Sequence, residues 1–258
     1  MANYYFLAPS LSPLKQGEWP DLTFEELIER FVINLTPVDF EKTKSIRRYI
    51  DFLNIRSRLL GDPIDPRGNL TEKELDDAIL SESGLPDYFF AFMKQYPIPH
   101  ERIRNMALLF SSFFQDEIER HSGFLHDYFK FEREWRLVLV ALRAKKGGRD
   151  LAEELKYEDP TDPFVERILA QKETPSFDPP KRYVDLKKKF LSCGSDPWEY
   201  YKTFSEWRFN RIVELAKGPL FSLDWILVYL VQHMIVEDDR RLDLEKGEEI
   251  LRTLVEIK

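Results

Sequence analysis

The chain has 258 residues with a formal net charge of −8, and 43% of its residues are hydrophobic while 33% are charged. This balance predicts a globular protein with a sizeable core, and the acidic charge argues against nucleic acid as the default partner, because phosphate binding requires a basic surface. The single cysteine, Cys193, excludes an internal disulfide and a cysteine-based zinc site.

Helix-start signals mark the first third of the chain. Thr23 with Glu26, and Thr71 with Glu74, form capping-box patterns that predict two helices. Between them, a Thr-Pro pair and a later glycine predict a helix over 37–60.

The central part of the sequence predicts a short helix over 87–95 and a long one over 99–121. The next helix begins at Phe124 and stops at Gly147. Its apolar residues recur every three or four positions, which gives one apolar stripe.

The remaining predictions concern the C-terminal part and the N-terminus. Helices are expected over 163–171, 183–192 and 197–217, followed by one capped by Ser222 and a last one capped by Asp243. Proline-rich breaks precede the first two, and the segment "NYYFLA" at 3–8 is the one candidate for extended structure. The predicted fold class is all-α, with about ten or more helices.

Three segments share a pattern that suggests an internal repeat. They begin at Phe40, Phe129 and Leu230, roughly 90 to 100 residues apart, and each crosses an arginine-containing charged patch before ending at a glycine. Any long amphipathic helix gives a similar pattern, so the residues alone leave the repeat open. The prediction is one domain over 1–258 with three degenerate units, around 20–97, 98–175 and 180–258.

The search for chemistry yields no catalytic residue, cofactor or metal assignment. The sequence lacks the glycine-rich phosphate loops and the serine-hydrolase elbow. His233 and Glu237 lie four residues apart, but a metal site needs three or four ligands. We interpret His233 as a residue at the edge of the core, and we expect Glu237 to pair with Arg240 or Arg241.

The dipeptide His126-Asp127 supplies an enzymatic alternative. It resembles the central pair of metal-dependent phosphohydrolases on helical folds, which also need an upstream histidine and a downstream aspartate. His100 or His121 could serve upstream. The competing interpretation is that Asp127 is an acid favoured near a helix N-terminus.

The two ends and the middle of the chain carry a resemblance to a known group of proteins. "NYYFLAPSLSPLK" with "LTFEELIERF", and the closing "FSLDWILVYLVQHMIVEDDRRLDLEKGEEIL", resemble a bacterial family of uncharacterised proteins encoded with V-type ATP synthases. The middle segment "YFKFEREWRLVLVALRAKKGGRDL" is similar to the Glu-then-Arg helices of the C-type central-stalk subunit of archaeal-type and V-type rotary ATPases, which is the d-type subunit of eukaryotes.

The resemblance implies a funnel-shaped helical protein of three related units, although this chain is shorter than the typical C-type central-stalk subunit. Such a protein sits on the cytoplasmic face of the membrane proteolipid ring, receives the central shaft and couples rotation to ion or proton transport without catalysing a reaction. The longest apolar stretch, 221–236, is shorter than the roughly 20 residues of a membrane helix, and no signal peptide is visible. We therefore expect a cytoplasmic protein that is peripheral to the membrane.

The partner-binding candidates are the charges that match the family's Glu/Arg helices. They are Glu132, Glu134, Arg136, Arg143, Glu237, Arg240 and Arg241. The competing interpretation of each is a surface salt bridge, which contributes little. A phosphohydrolase, or a helical scaffold for another protein partner, remains the alternative function.

Overall fold

The computed structural model describes residues 4–194 and 196–256, and it describes side chains up to residue 242. Across these residues the chain forms α-helices and two short 3-10 helices, with no β-strand. The prediction of an all-α fold with ten or more helices is confirmed.

The helices follow one another with short connections. In chain order they are α1 (Phe24–Asn34), α2 (Pro37–Leu60), α3 (Glu72–Ser81), α4 (Asp87–Gln95), α5 (Pro99–Arg104), α6 (Met106–Arg120), α7 (Phe124–Lys146), α8 (Leu151–Glu154), α9 (Pro163–Leu169), α10 (Val184–Ser192), α11 (Pro197–Val213) and α12 (Leu223–Glu256). The 3-10 helices are Ala8–Ser10 and Lys181–Tyr183.

The chain divides into two compact units. The first holds Met1–Thr43 and Leu191–Lys258, and the second holds Lys44–Phe190, so the divisions fall inside α2 and α10. The three degenerate units expected from the sequence stay a prediction.

The capping boxes predicted from sequence are present. The Thr23 hydroxyl accepts a hydrogen bond from the Glu26 N–H at 3.2 Å, and the Glu26 carboxylate accepts one from the Thr23 N–H at 2.8 Å. Thr71 and Glu74 make the same reciprocal pair. Each cap satisfies N–H groups that the first helical turn leaves unbonded, which contributes about 1 kcal/mol.

The single helix predicted over 99–121 is wrong, because the chain breaks at Asn105 into α5 and α6. The Asn105 side-chain amide donates to the Glu101 carbonyl at 2.8 Å, and its Oδ1 accepts from the Tyr157 hydroxyl. An asparagine that bonds to nearby backbone in this way competes with helix propagation.

The C-terminal part differs from prediction in the opposite way: the sequence predicts two helices and the described residues form one. One helix, α12, runs through Asp243 and Gly247, where the sequence predicts the start of a new helix. A glycine inside a helix costs only about 1 kcal/mol and does not end it. The hydroxyl of Ser222 makes no hydrogen bond to any described residue, and Asp224 instead accepts the N–H of Gly218 at 3.0 Å.

Two smaller predictions also need correction. The segment predicted to be extended near residues 3–8 forms turns from Tyr5, with the Ala8 N–H donating to the Tyr4 carbonyl at 3.0 Å; Asn3 lies outside the described residues. The helix predicted to reach residue 217 ends at Val213.

Aromatic side chains dominate the core of the second unit, where α6 packs along α7. Phe113 is fully buried and meets the rings of Phe52 and Phe129 edge to face, at centroid distances of 5.2 and 5.7 Å. Such edge-to-face pairs add to the stabilisation that burial alone provides. This packing fixes the position of α7, which carries four of the seven candidate residues.

Candidate functional site

Helix α7 is buried on more than its apolar stripe. Val138 and Ala141 are fully buried. Two acids on the same helix, Glu132 and Glu134, are almost completely buried, each with 2% of its surface exposed. A carboxylate removed from water is costly unless it is paired and hydrogen-bonded. The partners of these two acids therefore determine whether either carboxylate is available to another molecule.

Glu132 belongs to a charge pair enclosed by aromatic rings. Its carboxylate accepts a hydrogen bond from Trp135 Nε1 at 3.0 Å and is paired with Arg136, four residues along the helix. The Arg136 guanidinium lies over the rings of Trp135, Tyr49 and Phe114, at 4.7, 5.0 and 5.4 Å from their centroids. The rings add cation–π attraction, so both charges are held in place within this unit.

Glu134 connects α7 to the 3-10 helix Lys181–Tyr183. The Tyr183 hydroxyl donates to Glu134 Oε2 at 2.9 Å, and the guanidinium of Arg182 pairs with the same carboxylate. Arg182 also lies over the ring of Phe164, at 5.9 Å from its centroid. One buried acid thus connects segments that are 48 residues apart in the sequence.

Arg143 differs from the other candidates on α7 because its side chain is exposed. It lies in the last turn of the helix with Lys145 and Lys146, where the helix dipole favours positive charge. Lys145 donates from Nζ to the carbonyls of Lys172 and Thr174, at 2.6 and 2.7 Å. Of the four candidates on this helix, Arg143 is therefore the most accessible to solvent.

The remaining candidates lie on α12 in the first unit. Glu237 is 5% exposed, and its Oε2 lies 3.5 Å from a guanidinium nitrogen of Arg241, the pairing expected from sequence. The guanidinium of Arg240 lies over the Trp19 ring, 5.6 Å from the centroid. The acid is thus enclosed, whereas both arginines remain partly exposed.

His233 is fully buried and does not lie at the edge of the core, as the sequence suggests. Its Nε2 lies 2.9 Å from the Leu22 carbonyl, which can only accept, so Nε2 carries the hydrogen. The rings of Phe24 and Tyr229 flank it at centroid distances of 6.0 and 6.2 Å, and Nδ1 lies 3.9 Å from Glu237 Oε1. This backbone partner allows the imidazole to be buried.

The histidines of the enzymatic alternative have separate partners. His126 Nδ1 lies 3.0 Å from the Ile118 carbonyl, and His121 Nε2 lies 2.9 Å from Glu117 Oε2. Within 4–194 and 196–242, no group of three or more His, Cys, Asp or Glu side chains is arranged to hold a metal ion.

Glu117 on α6 is a buried ionic residue that the sequence patterns do not single out. It is fully buried, and its carboxylate pairs with Arg48 and lies beside His121. Burial, with further contributions from Asp116 and Glu117, raises the pKa of the nearby Tyr88 phenol. The sequence signal that could have identified Glu117 as buried is its position, because it follows the core residue Phe113 by one helical turn.

The fold and these contacts define the class: an all-helical protein whose buried acids are paired within each unit. No helix in the described part of the chain is both long enough and apolar enough to span a bilayer.

The chain belongs to the family described as "Protein of unknown function (DUF2764)", whose family model matches residues 1–257. Similar chains, each described as "Uncharacterized protein", occur in Chlamydia muridarum and Chlamydia trachomatis. They are 26% and 25% identical over 260 residues, covering 98% of this chain and of each relative. No solved structure matches the chain.

Proposed function

We propose that this protein is a non-catalytic component of the central stalk of a V-type ATP synthase, similar to the C-type central-stalk subunit, which couples the rotating shaft to the membrane proteolipid ring. The observation that carries the proposal is the burial and pairing of the acids on the Glu-then-Arg helix. On α7, the matching acids Glu132 and Glu134 are buried and paired with Arg136 and Arg182.

A coupling protein must transmit torque without deforming. Close-packed interiors have low compressibility and transmit strain, and buried ion pairs enclosed by rings add directional contacts to that packing. The Glu134 contacts with Arg182 and Tyr183 connect α7 to a distant segment of the same unit. These features support a mechanical role for the helix.

The proposal assigns the enclosed and the exposed charges different tasks. Glu132, Glu134 and Glu237 stabilise the units from within, because they are almost inaccessible to a partner. Arg143 is exposed in the last turn of α7 and is the candidate for direct contact with a neighbouring protein of the stalk. The protein would act at the cytoplasmic face of the membrane without inserting into it.

The test is affinity capture of the full-length tagged protein from detergent-solubilised membranes of cells that carry the V-type ATP synthase. Mass spectrometry of the captured material is expected to find both the shaft subunits and the proteolipid. Absence of both, with the tagged protein folded and recovered, would overturn the proposal.

Two variants sharpen the experiment. Arg143→Glu should reduce capture of the complex, whereas Arg104→Glu, an exposed arginine on α5, should not. Equal capture by both variants would show that Arg143 is not part of the contact surface. The proposed function would then still be decided by the wild-type result.

A further inference from the structure

An exposed apolar surface lies where α1 meets α2. Val32, Ile33 and Val38 lie there, with side chains 58%, 81% and 71% exposed, and the exposed acids Glu29 and Glu25 precede Ile33 on α1 by one and two helical turns. We call these five residues the α1–α2 corner. Single exposed apolar residues are common, but three of them within a seven-residue stretch make this corner a candidate for contact with a partner.

The position of Ile33 on α1 shows that it does not belong to the core. The buried face of this helix carries Phe24, Leu27 and Phe31. Ile33 lies one turn after Glu29, on the opposite face.

The corner is held in one conformation by local contacts. Leu35 is buried, and its N–H donates to the Phe31 carbonyl at 2.8 Å. The Thr36 hydroxyl accepts the N–H of Asp39 at 3.2 Å, and the Asp39 carboxylate accepts from the Tyr4 hydroxyl. A surface fixed in advance loses little conformational entropy when a partner binds.

The charges beside the apolar residues specify the partner. Glu25 and Glu29 form no ion pair with any residue the structure describes, whereas Glu26 between them is used by the Thr23 cap. Both acids are exposed on the side of α1 that carries Val32 and Ile33. Glu29 lies one turn before these two residues, and Glu25 lies one turn further towards the start of the helix. An apolar centre beside carboxylates complements an apolar stripe flanked by basic residues.

We propose that the α1–α2 corner is a docking surface for an amphipathic helix whose apolar stripe is flanked by Lys or Arg. That this helix belongs to another protein of the ATP synthase rests on the proposed function. The surface and the chemistry of the helix that it receives rest on the corner itself.

The first experiment measures capture of the ATP synthase by Ile33→Asp. The substitution places a charge where an apolar contact is expected and should reduce capture about tenfold or more. The matched control is Leu80→Asp, because Leu80 on α3 is 86% exposed and lies in the other unit. Capture that is equal for the two variants would overturn the docking surface even if the wild type captures the complex.

The second experiment does not depend on the ATP synthase. A synthetic helical peptide with a leucine stripe flanked by lysines is titrated against the full chain, beside a peptide with glutamates in place of the lysines. The lysine peptide should bind more tightly, and Glu25→Lys with Glu29→Lys should remove that preference. Ile33→Asp removes the apolar contact that both peptides use, so it should weaken the binding of both. Equal binding of the lysine peptide by wild type and Ile33→Asp would contradict the proposal.

Analytical ultracentrifugation tests a second copy of the chain as the occupant. A concentration-dependent dimer that is lost in Ile33→Asp and kept in Leu80→Asp would overturn the basic-helix partner in favour of self-association. A monomer at all concentrations supports the proposed partner.

Discussion

The Tyr183 hydroxyl lies 2.9 Å from Glu134 Oε2, and both side chains are buried in the same unit. The carboxylate has two donors of different kinds, since Arg182 reaches it from the surface with half of its side chain exposed. A buried acceptor that carries charge depends strongly on each donor. The contact therefore fixes the 3-10 helix Lys181–Tyr183 against α7.

Replacing Tyr183 by Phe tests this contact directly. The ring packing is kept, but the buried carboxylate loses a donor, so the free energy of unfolding should fall by about 1–2 kcal/mol. Urea denaturation followed by circular dichroism provides the measurement. Tyr96→Phe is the control, because among the residues that the structure describes the Tyr96 hydroxyl bonds only to the exposed amide of its neighbour Gln95. Equal stabilities of the two variants would show that the Glu134 contact contributes nothing.

The Glu132–Arg136 pair should matter for stability rather than for partner contact. Glu132→Gln keeps an acceptor for Trp135 Nε1 but leaves the enclosed guanidinium without its acid, and we expect a loss of about 2 kcal/mol. Arg143→Gln, at an exposed position, should change stability by less than about 0.5 kcal/mol. The same urea series measures both, and a neutral Glu132→Gln would contradict the role assigned to the pair.

The features that could be predicted from the sequence depend on neighbours close in the chain. Thr23 and Glu26 cap α1 by bonds between residues three positions apart, so the sequence predicts that helix start correctly. The apolar stripe of α7 is likewise a local pattern. Helix existence and type therefore follow from local chemistry.

The features that could not be predicted depend on distant partners. The break at Asn105 involves Tyr157, 52 residues away, and the burial of Glu134 depends on Tyr183, 49 residues away. His233 is predicted at the edge of the core, but its hydrogen-bond partner is the Leu22 carbonyl, 211 residues away. No periodicity in the sequence encodes which distant segment meets a charged side chain.

Gly68 is required by a close approach of side chains. A Cβ at this position would lie 2.5 Å from Asp51 Oδ1 and 3.0 Å from Asn54 Nδ2. Asp51 would have to move away from the Asn69 N–H that it accepts at 2.6 Å, so Gly68→Ala should lower the free energy of unfolding by about 1–3 kcal/mol.

The control for Gly68 is Gly147→Ala, at the end of α7. Gly147 has a φ of −93°, which any residue can adopt, and its added Cβ would lie 3.3 Å from the nearest atom. Thermal unfolding of the two variants compares a severe steric clash, at 2.5 Å, with a slight one, at 3.3 Å. A Gly68→Ala protein as stable as Gly147→Ala would show that the segment around Gly68 rearranges freely.

Asp162 should make stability depend on pH. Burial alone would raise the pKa of its carboxyl, but the charge of Arg133 and the N–H groups of Phe164 and Val165 outweigh burial and hold the pKa below its usual value. A carboxyl with a lowered folded-state pKa stabilises the protein above its unfolded-state pKa of about 3.9, and this stabilisation is lost as the pH falls through the folded-state value.

Asp162→Asn removes the charge but keeps an oxygen for the N-cap bonds to Phe164 and Val165, at 2.8 and 3.1 Å. Because Asp162 is partly exposed, solvent screening limits the loss at pH 7 to about 1 kcal/mol. The difference from wild type should shrink as the pH falls from about 5 towards 2. Urea denaturation across this range measures it, with Asp77→Asn, exposed in the middle of α3, as the control for loss of a negative charge. A difference that stays constant with pH would show that the Asp162 charge does not stabilise the fold.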